Sequence, residues 1–353
     1  MNRKVIVTTL VGIFCAPAPV LAATNVTLGD IEVYGRLDAN LESVKNDRAT
    51  GATTLNRLMT NASRFGVRGN KDVGNDLQVI YQLEAGFDLN GSANNGLATT
   101  RNSNIGLKGG FGTVFMGNWD TPYFVAHDPV ELFGNTTVAT GVNLTGRVAN
   151  AASIANFNNH QKTVVQYWSP SVGGFQAKVA YAPDNNKTLL QNQTVLSLSA
   201  TYENDMFYGA YGFESHKDGS FAGQTDQANR LVGAYKVAGA LVSLTYERLT
   251  VGTAATSNAS RNGIELAGKY KFGSSTIGAV YSRAGDLGGV ANTGASQYSL
   301  RYGYDLGSDT EVYGFYTALT NKVAATYNFK DGAVAGAAGS KLSGFGIGIA
   351  HNF

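Results

Sequence analysis

A strict alternation of apolar and polar side chains is the feature that most restricts the fold of this chain. From residue 31 to residue 42 the odd positions hold Ile, Val, Gly, Leu, Ala and Leu, and the even positions hold Glu, Tyr, Arg, Asp, Asn and Glu. Successive side chains of a strand point to opposite faces, so this pattern predicts a long strand with one apolar and one polar face. Residues 77–89 repeat the pattern with Ile80 as the exception. Further alternating segments lie at 175–182, 264–271, 298–305 and 345–353.

The connections between these segments alternate between short and long. Short ones, rich in Gly, Asp and Asn, lie near residues 70–76, 109–112, 170–174, 204–205, 237–239, 272–274 and 306–309. Longer polar ones lie near residues 45–60, 89–101, 121–161, 183–193, 215–228, 250–262, 284–295 and 319–342. An even number of strands, with short turns at one end and long loops at the other, is the plan of an up-and-down barrel. The sequence therefore predicts an all-β protein, a 16-stranded antiparallel transmembrane β-barrel with both termini on the short-turn side.

Membrane physics supports a closed barrel with a water-filled interior. No backbone N–H or C=O group can stay unpaired in hydrocarbon, so a sheet that spans a membrane must close on itself. About sixteen strands enclose a space too wide for side chains to fill, which leaves an aqueous channel beside the polar face. Aromatic residues at 123–124, 167–168 and 302–304 are expected to lie in the interfacial girdles of such a barrel. A secreted two-sheet β protein also alternates, but its strands are usually shorter.

Residues 1–22 are predicted to be a secretory signal peptide, removed from a barrel of residues 23–353. Arg3 and Lys4 precede an apolar run over residues 5–16, and small residues precede the expected cleavage after Ala22. The apolar run is shorter than the roughly 20 residues that a transmembrane helix needs.

Charge and cysteine content exclude several kinds of partner and site. The 27 basic side chains fall to 25 without Arg3 and Lys4, and then equal the 25 acidic ones. A neutral chain lacks the basic face that nucleic acid binding requires. Cys15 is the only cysteine and lies in the predicted signal peptide, so no disulfide or thiolate site is expected in the mature chain.

No catalytic or metal-binding pattern is present in the sequence, and no cofactor is predicted. The histidines lack the spacing of a metal site; they are His127, His160, His216 and His351. Gly344, Gly346 and Gly348 alternate instead of forming a phosphate-binding loop, and we expect them to let other groups pack closely against the last strand.

Four segments resemble the general trimeric porins of Gram-negative bacteria, in the branch typical of β-proteobacteria. The most specific is SRFGVRGNKDVGNDLQVIYQLEAGF at 63–87, and the others are IEVYG at 31–35, IGLKGGFGTV at 105–114 and GIAHNF at 348–353. The resemblance runs over the whole mature chain. It implies a homotrimer in the outer membrane, surrounded by lipid, that passes ions and small hydrophilic solutes by passive diffusion. It also implies that Phe353 is a signal read by the outer-membrane assembly machinery.

The resemblance further implies that the third long loop, residues 121–161, folds into the barrel and narrows the pore. A structureless loop of this length is usually functional. In this chain the loop carries Asp128 and Glu131, so it is expected to present two carboxylates to the lumen.

The family also has a basic wall that faces this loop. Arg64 and Arg101 match its arginines, Arg36 and Arg68 share the polar face by parity, and Lys162 matches a third family base only loosely. Opposed charges across a narrow pore would select ions by charge and size. The sequence departs from the family at 117–119, where Gly-Asn-Trp replaces the common Gly-Arg-Gln. The missing cation leaves the preference for anions or cations open.

Three other functions are alternatives to a general diffusion channel. A substrate-specific outer-membrane channel would want a track of aromatic residues or a dense arginine ladder in the lumen. An outer-membrane hydrolase would need a nucleophilic Ser beside a His base at matching strand heights. An adhesin would use surface loops such as residues 323–340.

Overall fold

The computed structural model describes residues 26–28, 30–48, 53–89, 101–134, 138–150, 154–189, 191–254, 257–329, 334 and 337–353. The predicted signal peptide lies outside the described residues and stays a prediction. No helix in these ranges is long and apolar enough to cross a membrane.

The described residues form a closed antiparallel barrel of sixteen strands, as predicted. The first barrel strand is β2 (Ile31–Asn46), which pairs with the last one, β20 (Lys341–Asn352), and so closes the barrel. The second barrel strand is interrupted: both β3 (Thr54–Thr60) and β4 (Arg64–Gly74) pair with β2. A short segment, β1 (Val26–Leu28), also pairs with β2.

The remaining barrel strands follow in chain order, and each pairs with its sequence neighbours or across the long loop. They are β5 (Leu77–Gly86), β6 (Ser103–Gly109), β7 (Gly112–Asp120), β10 (His160–Trp168), β11 (Phe175–Ala182), β12 (Thr194–Glu203), β13 (Phe207–Lys217), β14 (Thr225–Val237), β15 (Ala240–Ala254), β16 (Ser257–Phe272), β17 (Ser275–Ala284), β18 (Ala295–Asp305) and β19 (Thr310–Asn321). The loop between β7 and β10 carries a helix α1 (Pro122–Val125), two 3-10 turns at Asp128–Val130 and Gly141–Asn143, and a hairpin of β8 (Arg147–Ala149) and β9 (Ile154–Asn156).

The alternation in the sequence separates an outer apolar face from an inner polar face. On β2, Leu41 is 61% exposed, whereas its neighbours Asn40 and Glu42 are 1% and 5% exposed. On β15, Val242 and Leu244 are exposed and Ser243 between them is buried. Exposed apolar side chains on a closed barrel suit a hydrocarbon surrounding, and the polar row then faces the interior.

The predicted turns were placed correctly, but one predicted long loop was wrong and another only partly right. Each of the seven short connections separates two barrel strands at the expected place. The loop expected near 250–262 is almost entirely strand, because β15 ends at Ala254 and β16 begins at Ser257. In the loop expected near 45–60, residues 54–60 form β3. In these segments the strands extend beyond the stretch in which apolar and polar residues alternate. Their backbone pairing therefore includes Thr, Ser, Ala and Asn residues that were expected in loops.

The aromatic girdle was predicted correctly for only some residues. Tyr302 and Tyr304 are exposed on the outer face near the short-turn end. Tyr123 and Phe124 are instead buried within the long loop, and Trp168 is buried on the inner face, so these three assignments were wrong. Parity identifies the outer face only within a strand, and both Tyr123 and Phe124 lie beyond the end of β7.

The alternating glycines of the last strand allow close packing, as expected. A Cβ atom at Gly346 would lie 2.7 Å from the ring of Phe315, and one at Gly348 would lie 2.5 Å from the ring of Tyr313. The rings of Phe315 and Tyr313 therefore pack closely against the backbone of β20 on its inner face, away from the centre of the barrel.

Candidate pore site

The register of β2, β4 and β5 builds a wall of polar side chains on the inner face. Because the three strands pair directly, residues that are far apart in sequence lie in rows across them. The first row is Glu32, Arg68 and Gln82, the second is Tyr34, Gly66 and Glu84, and the third is Arg36, Arg64 and Gly86. Predicted site residues Arg36, Arg64 and Arg68 are thus brought together by pairing alone. We call this surface, with Arg57 and Arg101, the arginine wall.

Glu84 is the centre of the arginine wall. Its Oε1 accepts a hydrogen bond from Nε of Arg101 at 2.7 Å, and its Oε2 accepts one from the Tyr34 hydroxyl at 2.9 Å. Nε of Arg64 lies 3.5 Å from the same carboxylate. Gly66 lies between Tyr34 and Glu84, and the Tyr34 ring lies across it, so a side chain at Gly66 would block this contact.

Each remaining arginine of the wall has a carboxylate of its own. Arg36 lies 2.6 Å from Asp38, Arg68 donates two hydrogen bonds of 2.7 Å to Glu32, and Arg57 pairs with Glu42 at 2.5 Å. Among the described residues, these contacts join five arginines to the carboxylates of Asp38, Glu32, Glu42 and Glu84. The side chains stay partly open, with exposed fractions of 30% for Arg36, 29% for Arg64, 34% for Arg68 and 22% for Arg101.

The long loop contacts the inner face of the strands opposite this wall. The amide of Tyr123 donates to Oγ of Ser197 on β12 at 3.0 Å, and the Tyr208 hydroxyl on β13 donates to the Ala126 carbonyl at 2.7 Å. Farther round, Gln297 on β18 donates to the Val138 carbonyl at 3.3 Å. Ser197, Tyr208 and Gln297 each lie on the inner face of their strand, opposite the face that carries the exposed apolar side chains.

A buried cluster around Glu247 holds the middle of the loop. Glu247 lies 2.9 Å from Nη1 of Arg261 and 3.3 Å from Nη2 of Arg230, and it accepts a hydrogen bond of 2.8 Å from the amide of Gly146. Arg261 also donates to the Leu144 carbonyl at 2.6 Å. The three charged side chains are 0–1% exposed. An unpaired charge at such depth is costly, so this cluster ties the loop to β14, β15 and β16.

A second buried cluster joins His127 of the loop to Glu265 of β16. Nε2 of His127 lies 2.7 Å from Glu265, and Nδ1 lies 3.9 Å from Glu131. Burial disfavours the charged imidazole, but the Glu265 carboxylate outweighs it and raises the pKa of His127. Glu131 accepts hydrogen bonds of 3.1 Å from the Phe133 amide and the Thr140 hydroxyl. Burial, together with the Glu265 charge, raises the pKa of Glu131.

Asp128 and Glu131, the two acids predicted to face the arginines, have different surroundings. Glu131 is buried beside His127, whereas Asp128 is half-buried. Burial and the nearby charge of Asp120 raise the pKa of Asp128 to about 8. No ion pair between described residues joins either acid to the arginine wall.

The other two predicted residues lie away from these clusters. Lys162 is exposed in an irregular part of β10, where the pairing with β7 shifts between Gln161 and Val164. Phe353 exchanges two backbone hydrogen bonds with Gly35, of 2.8 and 3.1 Å, and its ring covers Gly35 on the outer face.

The inner face also carries an aromatic cluster that the sequence analysis missed. Phe115 packs edge-on against Trp119 and Trp168, with ring centroids 5.2 and 5.1 Å apart, and Nζ of Lys178 lies 4.5 Å from the Trp168 ring. These rings are 2–8% exposed, so they form part of the packed wall. Asn118, where the family commonly has arginine, donates to the Arg101 carbonyl at 3.2 Å.

No group of three or more His, Cys, Asp or Glu side chains within the described ranges could hold a metal ion. The arginine wall and the clusters around Glu247 and Glu265 are held together by ion pairs and by hydrogen bonds to the long loop.

Comparison with known proteins identifies the relatives of this architecture. Residues 7–324 match a family described as Gram-negative porin. Outer membrane porin protein 32 of Delftia acidovorans is 26% identical over 364 residues, which cover 95% of this chain and 97% of that protein. The major outer membrane protein P.IB of Neisseria lactamica is 29% identical over 281 residues, 76% of this chain and 79% of its own length.

A solved structure with a similar fold is an anion-selective porin from Comamonas acidovorans. It superposes with a TM-score of 0.79 at 22% identity, over 92% of this chain and 99% of that one. The likeness extends over the described barrel.

Proposed function

We propose, from the premise that the chain belongs to the Gram-negative porin family, that its long loop narrows the channel and that the channel prefers anions. The protein is an outer-membrane channel for passive diffusion of solutes, and not an enzyme. The proposal concerns where the narrow part lies and which charges act there.

The loop contacts support a constriction between the loop and the arginine wall. The loop is hydrogen-bonded to inner-face residues from β12 to β18, while β2 to β5 keep arginine side chains that are partly open. Solutes then pass between the loop and Arg36, Arg64, Arg68 and Arg101. Glu131 is engaged by His127 and Thr140, so the loop side contributes less negative charge than the sequence alone suggests.

Charge on the wall supports a modest preference for anions. The side chains of Arg36, Arg64, Arg68 and Arg101 are partly open on the wall, and low-dielectric surroundings focus the field of a few charges inside a narrow channel. The porin from Comamonas acidovorans is described as anion-selective. Asn118 in place of the family arginine reduces the positive charge and limits the preference.

Planar-bilayer recording under a salt gradient tests this function. We expect stepwise openings and a reversal potential whose sign shows that chloride is more permeant than potassium. A reversal potential of the opposite sign would contradict the anion preference, and folded protein without openings would contradict the channel.

We further propose that the protein is a homotrimer in outer-membrane lipid, assembled with Phe353 as a recognition signal. This rests on family resemblance and on the position of Phe353 at the edge of β20. Light scattering of the detergent-solubilised protein should give three copies, and Phe353→Ala should lower the amount of barrel assembled in cells without changing conductance.

A further inference from the structure

The arginine wall contains a pair of cations that converge on one carboxylate. Nε of Arg101 lies 2.7 Å from Oε1 of Glu84, and Nε of Arg64 lies 3.5 Å from Oε2 of Glu84. Guanidinium groups recognise carboxylate and phosphate oxygens in this way, and such charge-assisted hydrogen bonds are among the stronger ones in proteins. The two arginines therefore have the arrangement of an oxyanion site, and Glu84 occupies it.

We propose that Glu84 is a built-in competitor for oxyanions at Arg64 and Arg101, and so sets how strongly the pore holds carboxylate and phosphate solutes. The inference rests on the proposed anion-conducting channel. It goes further by assigning the residue that keeps this cation pair from binding the anions that pass it.

Glu84 is held in place by groups other than the arginines. The Tyr34 hydroxyl donates to Oε2 at 2.9 Å, and the amide of Glu84 donates to Oγ of Ser103 at 3.1 Å. The residue is 5% exposed, whereas the Arg64 and Arg101 side chains are 29% and 22% exposed. A tethered carboxylate acts at a high effective concentration, so a solute anion must displace it to bind both arginines.

This competition matters because conduction requires weak binding. An ion must be attracted enough to enter a narrow pore and held weakly enough to leave it. Two uncompensated arginines side by side would attract anions and would also retain multivalent ones. With Glu84 present, the arginines attract a passing anion through their partly open sides, and the anion leaves when the carboxylate returns.

The neighbouring pair of Arg68 and Glu32 provides a matched control. Glu32 accepts two hydrogen bonds from Arg68, at 2.7 Å each, and it lies on the same wall. Glu84→Gln and Glu32→Gln each remove one negative charge from this wall. Glu84→Gln removes the carboxylate on which Arg64 and Arg101 converge, whereas Glu32→Gln removes the carboxylate that pairs with Arg68.

The test is block of single-channel chloride current by inorganic phosphate in purified protein. We expect Glu84→Gln to reach half-block at a phosphate concentration at least about tenfold lower than the unaltered protein does, since each tenfold change corresponds to the strength of about one charged hydrogen bond. Glu32→Gln should change the half-blocking concentration about twofold or less. Equal block in the two variants would overturn the proposal and would leave only the general charge of the wall.

Two further variants separate the competing explanations. Glu84→Gln combined with Arg101→Gln restores the net charge and leaves one arginine, so phosphate block should return to the level of the unaltered protein. If Glu84→Gln does not fold, Tyr34→Phe removes one hydrogen bond to Glu84, and it should increase block by a smaller factor; no increase would count against the competitor role. Cation preference of the unaltered channel would refute the proposed function, whereas normal anion preference with unchanged block in the variants would refute this inference alone.

Discussion

Two parts of the inner face share the same alternating pattern but use their charged residues differently. One is the arginine wall, and the other is formed by the strands that contact the long loop, β12 to β18. On the arginine wall, the side chains of Arg36, Arg64, Arg68 and Arg101 are 22–34% exposed. On the opposite side, Arg230, Glu247 and Arg261 are 0–1% exposed and bind the loop. Partly exposed ion pairs contribute little to stability, whereas a buried pair is costly to break. Burial therefore separates the partly open charges of the arginine wall from the enclosed charges that hold the long loop.

The sharpest test of this contrast is Glu247→Gln, which leaves Arg230 and Arg261 buried without their carboxylate. Breaking a buried pair of this kind costs about 3–5 kcal/mol. We expect a lower temperature of unfolding by circular dichroism and noisier single-channel currents, because the loop loses its anchor.

Glu311→Gln is the control for that variant, since Glu311 pairs with Arg301 where both side chains are partly exposed. Its effect should be about 1 kcal/mol or less. Equal losses of stability in Glu247→Gln and Glu311→Gln would contradict the distinction between the buried charges that hold the loop and the partly exposed ion pairs.

A change of pH should have a smaller effect on stability, and the effect should be confined to the long loop. The pKa values of His127, Glu131 and Asp128 are raised, the last to about 8. The folded loop thus binds protons more tightly than an unfolded chain does, so its stability falls as pH rises. For the two acids the loss begins near their ordinary values of about 4, and for His127 near about 6.5. Current noise should be greater at pH 9 than at pH 6.

His127→Gln combined with Asp128→Asn removes two of these titrations and should flatten that pH dependence. If the current noise of the double variant increased from pH 6 to pH 9 as strongly as that of the unaltered protein, the titrating groups would lie elsewhere.

On the arginine wall, single substitutions should change selectivity more than stability. A unit charge about 4 Å from an ion in water contributes about 1 kcal/mol. Arg64→Gln or Arg101→Gln should therefore lower the ratio of chloride to potassium permeability, by up to about fivefold, with an unfolding temperature close to that of the unaltered protein. A normal reversal potential in both variants would remove these residues from the solute path.

The smallest effect is expected at Lys162, although the sequence placed it among the candidates. Its side chain is exposed in the irregular part of β10, a strand that pairs with β7 and β11 and not with β2, β4 or β5. Lys162→Gln should leave the reversal potential unchanged within error. A shift as large as that of Arg64→Gln would mean that the path also passes β10.

The sequence predicted the barrel well because one rule, apolar out and polar in, acts on every strand. It also assigned Arg36, Arg64 and Arg68 to one face, since parity is a local property. It could not identify Glu84 as their shared partner, because that depends on the register of β4 against β5. Parity within residues 77–89 nevertheless places Glu84 on the polar face of its strand.

The loop was harder to predict, since its partners are distant in sequence and follow no period. The contact of His127 with Glu265 spans 138 residues of sequence, and that of Gly146 with Glu247 spans 101. For the same reason the expectation for Tyr123 is wrong. An aromatic pair near a strand end commonly lies at the membrane interface, but Tyr123 is buried, and its amide donates a hydrogen bond to Ser197 of β12.

The central claim is that solutes pass between the loop and the arginine wall. Because the only cysteine, Cys15, lies in the predicted signal peptide, single cysteines can be introduced at Arg64 and at Ser282, which is fully buried and donates to Glu265 at 2.8 Å. A negatively charged methanethiosulfonate reagent added to open channels should reduce the current of Arg64→Cys in steps and leave that of Ser282→Cys unchanged. Equal reaction at both positions, or reaction at Ser282→Cys alone, would contradict this account.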